Sequence, residues 1–61
     1  MALTSKELTA VEDQLTLEQS LVAKYKLYAS TAIETEIRTK LDCLADKHQK
    51  HYDMLAAQLS S

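Results

Sequence analysis

The stretch that decides the fold is LTAVEDQLTLEQSLVAKYKLYASTA, residues 8–32. Within it Leu8, Val11, Leu15, Glu18, Val22, Tyr25, Ala29 and Ala32 recur at steps of 3, 4, 3, 4, 3, 4 and 3. That is heptad spacing, which gathers side chains into one stripe along an α-helix. Glu18 is the one charged member of the stripe. Just upstream, Thr4-Ser5-Lys6-Glu7 fits a capping box, in which the hydroxyl accepts from a backbone N–H and the carboxylate reaches back to another. Together these signals predict a helix over about 5–30.

Downstream, IRTKLDCLADKHQKHYDMLAAQL (residues 37–59) repeats the device. Its stripe is Ile37, Leu41, Leu44, His48, His51, Leu55 and Leu59, widened by Ala45, Tyr52 and Ala56. Here His48 and His51 are the polar members. Glu34–Arg38, Glu36–Lys40 and Asp46–Lys50 set acid before base at i,i+4, each pair supporting a helix by ~0.2–0.5 kcal/mol. The second helix is expected over about 36–59. Between the two, Ser30-Thr31-Ala32-Ile33-Glu34-Thr35 has the weakest helix propensity of the mid-chain, which puts the turn at about 31–35. Thr31 to Glu34 reads as a second capping box, with Glu34 or Thr35 as alternative caps. The step from Ala32 to Ile37 is five, a break in phase that one unbroken helix of about 55 residues, ~83 Å long, would not contain. The expected fold is therefore all-α: one antiparallel two-helix hairpin spanning 1–61.

Composition agrees. The 61 residues include no Gly and no Pro, which argues against an all-β fold with its tight turns. An apolar share of 46% argues against intrinsic disorder. Seven basic residues against nine acidic ones lack the basic excess of a general nucleic-acid binder. Cys43, the single cysteine, has no partner for an internal disulfide, and a reducing interior is the default. Nothing in the pattern calls for a reactive thiol there. The polar N-terminus lacks a signal-peptide core, and no apolar run approaches the ~20 residues that span a bilayer, so no membrane partner is expected. Without Gly there is no phosphate-binding loop, and no Ser sits in a nucleophile elbow.

Two apolar stripes are more than a lone hairpin can cover. Two hairpins packed face to face close a four-helix core, so a homodimer is expected. Leu17, Leu21, Leu27 and Tyr28 flank the first stripe and offer contact surface.

Antiparallel packing about a turn near residue 33 sets residues whose numbers sum to about 66 at one height. Glu18 then lies level with His48, and His51 falls one turn further along, within reach. The first reading of this convergence is a structural polar layer that fixes register. The second is a metal site of Glu18, His48 and His51, whose two nitrogens and one oxygen suit weakly held Zn²⁺, with iron as the other candidate. Tyr25 reads as core filling with its hydroxyl near that layer. Lys24, Lys26, Lys47 and Lys50 stand at similar heights and raise a third reading, an RNA-binding dimer similar to the plasmid copy-number regulator Rop. Lysines interspersed with acids are more often a solvated face, so nucleic acid is not the expected partner.

Glu12-Asp13-Gln14-Leu15, Glu18-Gln19, Tyr25-x-x-Tyr28-Ala29 and Lys47-His48-Gln49-Lys50-His51-Tyr52 resemble the small coat protein F family of spore-forming bacteria, over roughly residues 7–59. The resemblance implies a ferritin-like helical protein of the spore coat, with other coat proteins as partners, and the lack of targeting signals makes the cytoplasm the other expected location. A ferritin-like di-iron half carries a Glu on its first helix and Glu-x-x-His on its second. Glu18 and His48 match two of those positions, but Ala45 stands where the second Glu would be, and Asp46 points about 100° away. The bridging carboxylates are missing, so ferroxidase or peroxidase activity is not expected and the implied role is structural and non-enzymatic.

Overall fold

The computed structural model describes residues 3–60 and consists of two α-helices, α1 over Ser5–Thr31 and α2 over Thr35–Ser60. Met1, Ala2 and Ser61, which the expected 1–61 unit also takes in, lie outside the described residues. No strand occurs among the described residues, so the all-α hairpin is the observed fold. The molecule measures 46 × 16 × 11 Å. That length suits a chain folded back on itself rather than a single rod of ~83 Å. Among the described residues, no helix is long and apolar enough to cross a membrane.

The capping box at the start of α1 forms as its residue types require. The Glu7 backbone N–H donates to Thr4 Oγ1 at 3.1 Å, and the Thr4 N–H donates to Glu7 Oε1 at 3.0 Å. Two otherwise orphaned backbone donors are thereby satisfied.

The turn works without glycine. Ala32 leaves the helix in an extended conformation, φ −68° and ψ 135°, and no described residue adopts positive φ. The Ala32 N–H still donates to the Tyr28 carbonyl at 2.9 Å, while Arg38 Nη2 donates to the Ala32 carbonyl at 2.7 Å. Arg38 thus ties the first turn of α2 to the end of α1. Ile33 sits at the tip, 94% exposed. Thr31 does not cap α2: it is the last residue of α1, and its hydroxyl donates back to the Leu27 and Tyr28 carbonyls. The carbonyl that accepts the first bond of α2, from the Arg38 N–H at 3.0 Å, belongs to Glu34. Of the three charge pairs expected on α2, Glu36–Lys40 is the one within 4 Å among the described residues, at 3.6 Å.

Packing between the helices follows the α1 stripe from Val11 onward, while Leu8, its expected first member, stands open at 40% exposure. Glu18, Val22 and Ala29 are buried, and Val11, Leu15, Tyr25 and Ala32 are half-buried. On α2 the inward line is rotated from the expected one. Ala45 is buried at 2% exposure, with Leu41, His48, Tyr52, Leu55 and Ala56 half-buried around it. Ile37, Leu44, His51 and Leu59 lie open. The reason is volume, because a methyl at position 45 lets two helices approach, while a leucine there would hold them apart. The small residue takes the contact line, and the larger Leu44 is displaced to its side.

Candidate functional site

Glu18 is the charged residue that α1 carries into the contact between the helices, 3% exposed. A buried carboxylate is costly unless fully hydrogen-bonded. Nδ1 of His48 lies 3.1 Å from Oε1 and 3.4 Å from Oε2, and Nδ1 of His51 lies 3.1 Å from Oε2. The Gln14 amide donates to Oε1 at 3.5 Å. No buried side-chain nitrogen or oxygen among the described residues lacks a partner. The helical register brings together the three residues that the sequence singled out.

The two histidines differ in exposure. The His48 side chain is 21% exposed and that of His51 56%. The Tyr25 ring stacks on the His48 imidazole, with centroids 5.6 Å apart and planes 15° from parallel, and the two imidazoles meet edge to face at 5.5 Å. Tyr25 therefore does more than fill the core: its ring sets the plane of His48. Gln14 and this stacking escaped the sequence reading, although Gln14 stands four residues before Glu18, where helical side chains meet.

With Glu18 as a carboxylate, which only accepts, each Nδ1 carries a hydrogen and donates it. The same three residues also converge as ligands. One atom from each of Glu18, His48 and His51 lies within 4.8 Å of the others. Around a tetrahedral Zn²⁺, with bonds of ~2.0–2.2 Å, neighbouring ligand atoms stand about 3.4 Å apart. From the single oxygen Oε2, Nδ1 of His51 lies 3.1 Å and Nδ1 of His48 3.4 Å away, close to that spacing.

The site opens to one side of the hairpin. A cleft there is lined by Gln14, Glu18, His51, Met54, Leu55 and Gln58, among others. The opposite side carries Gln19, Lys26, Gln49 and Tyr52 around a second recess. Of the lysines, Lys26 borders that second recess, and Lys24 Nζ lies 5.8 Å from the Tyr28 ring centroid. Lys47 borders a third recess, beside the exposed free Cys43.

No family model, curated protein or solved structure matches the chain.

Proposed function

We propose that the chain is a non-enzymatic structural protein whose hairpin pairs with a second copy into a ferritin-like four-helix bundle. The coat protein F resemblance gives its setting: the spore coat, with other coat proteins as neighbours. The observation that carries this reading is the surface left uncovered. The hairpin exposes 4719 Å² for a mass of 6.9 kDa, whereas a compact monomer of that mass exposes about 4000 Å². The excess of about 700 Å² is close to the ~800 Å² that each partner gives to a standard interface. Leu17, Leu44 and Tyr28 are among the large apolar residues standing in it, 50%, 36% and 46% exposed. Folding and pairing should then be one transition, with a melting temperature that rises with protein concentration. A melting temperature constant over a hundredfold dilution contradicts the reading.

A second reading rests on the convergence of Glu18, His48 and His51: a site for one late divalent cation, Zn²⁺ above all. The di-iron alternative does not fit these residues. Ala45 is packed at 2% exposure where a second-helix Glu would have to stand, and Asp46 is exposed and outside the cluster. Zn²⁺ should raise the melting temperature of the wild type, and Glu18→Ala and His48→Ala should each abolish that rise. An unchanged wild-type melting temperature at Zn²⁺ well above micromolar leaves the three residues as a structural layer.

A further inference from the structure

Heptad spacing carries the sidedness of the site along the whole hairpin. Gln14 and His51 line the same cleft. One heptad nearer the turn on each helix lie Leu21 and Leu44, and one heptad further lie Tyr28 and Ile37. Residues seven apart share a helical face. This side of the hairpin is therefore three tiers, Gln14/His51, Leu21/Leu44 and Tyr28/Ile37, of which two are apolar and the third holds the open edge of the Glu18 site. On the other side, Gln19 and Gln49 line one recess, and Lys26 and Asp42 share the next. That side carries the charged and amide side chains, with Val22, Ala23 and Tyr52 set between them.

The asymmetry chooses the docking face. A second copy joined by a two-fold axis presents the same patch in return, and the apolar tiers provide the desolvated centre that such an interface needs. Pairing over this face covers His51, the most exposed member of the Glu18 cluster. It also places the cluster under a lid of protein, where Coulomb interactions strengthen as water leaves. Three protein ligands leave one position on a tetrahedral ion unfilled, and that part of the ion is what water reaches in a single hairpin. Conversely, a Glu18 carboxylate sealed in the interface without a cation remains a buried negative charge held by neutral donors.

We infer that cation binding at Glu18, His48 and His51 and pairing of two hairpins through the Leu21/Leu44 and Tyr28/Ile37 tiers are thermodynamically coupled. Each strengthens the other. The inference rests on both readings of the preceding subsection, and by linkage the tightening of the dimer equals the product of the affinity gains at its two sites. Binding of the cation moves the hydrogen of each neutral imidazole from Nδ1 to Nε2, so that Nδ1 can ligate.

The test uses the full wild-type chain and Zn²⁺, with Mg²⁺ as the control ion, since a site of two nitrogens and one oxygen disfavours Mg²⁺. The dimer dissociation constant is measured with and without Zn²⁺, and Zn²⁺ affinity is measured on samples diluted below and concentrated above that constant. The expected result is a dimer at least ~5-fold tighter with Zn²⁺, the lower end of usual couplings, and, because the dimer carries two sites, a per-site Zn²⁺ affinity about 2-fold higher in concentrated samples. Mg²⁺ should change neither. Leu44→Lys, on the docking face and outside the cluster, should weaken pairing and lower Zn²⁺ affinity together. Zn²⁺ that binds equally well at all dilutions overturns the coupling, and with it the single folding-and-pairing transition, while pairing and Zn²⁺ binding themselves both stand. Absence of Zn²⁺ binding overturns the coupling through the metal reading, and absence of pairing overturns it through the dimer reading.

Discussion

His51 Nδ1 lies 3.1 Å from Glu18 Oε2, joining residues 33 positions apart. The contact makes a surface-facing imidazole on α2 an extension of a carboxylate buried on α1. Desolvating Glu18 opposes what its hydrogen bonds supply, so the layer is expected to contribute register rather than net stability.

Replacing the layer with hydrocarbon therefore tests its role. Glu18→Leu combined with His48→Leu should be neutral or stabilising by ~1–4 kcal/mol in urea unfolding, as for other buried polar pairs exchanged for packed apolar residues. Glu18→Ala alone should destabilise, because it removes the partner of both imidazoles and leaves a cavity. A double leucine variant less stable than Glu18→Ala contradicts this account.

At the helix contact, Ala45→Leu should cost ~1–3 kcal/mol by overpacking, since the residue is 2% exposed. Leu44→Ala, one position along, should change intrinsic hairpin packing less, because Leu44 is 36% exposed. Denaturation midpoints at a fixed protein concentration, together with the dimer constants of both variants, separate packing from pairing.

Tyr25→Phe should preserve the Zn²⁺-induced rise in melting temperature, because the ring that stacks on His48 is retained. Tyr25→Leu should reduce the rise while leaving the helix content unchanged. An equal loss in both variants would assign the effect to the hydroxyl and contradict a role for stacking.

The pH dependence at the start of α1 has a definite sign. Hydrogen bonds from the Thr4 backbone N–H first, and then from the Thr4 side chain, hold the Glu7 carboxyl below the usual carboxylate range. A lowered folded-state value means that the contribution is present above the unfolded-state pKa and is lost as pH falls through the folded one. Amide hydrogen exchange in the first turn, corrected for intrinsic rates, should lose protection on acidification over that window. Glu7→Gln, which keeps a capping side chain but does not titrate, should remove the dependence.

The hairpin and the convergence on Glu18 were legible because both depend on spacing. An unbroken heptad stripe fixes a helix, and the sum rule about the turn sets Glu18 level with His48 and His51. The rotation of α2 was less legible. Leu44 and Ala45 are adjacent, and hydrophobicity favours the leucine for the contact line, whereas close approach of the helices favours the alanine. At the turn, Thr31 satisfies a capping pattern, but its hydroxyl bonds back into α1 and the Glu34 carbonyl accepts the first bond of α2. Which imidazole nitrogen faces Glu18 depends on side-chain rotamers and on stacking against Tyr25, neither of which leaves a trace in residue spacing.

The central claim is that one hairpin is half of the working molecule, and sedimentation equilibrium of the metal-free chain at tens of micromolar tests it most directly. The account predicts a single species of twice the 6.9 kDa chain mass, dissociating on dilution with loss of helical circular dichroism. A species of 6.9 kDa that keeps its full helical signal at that concentration contradicts it.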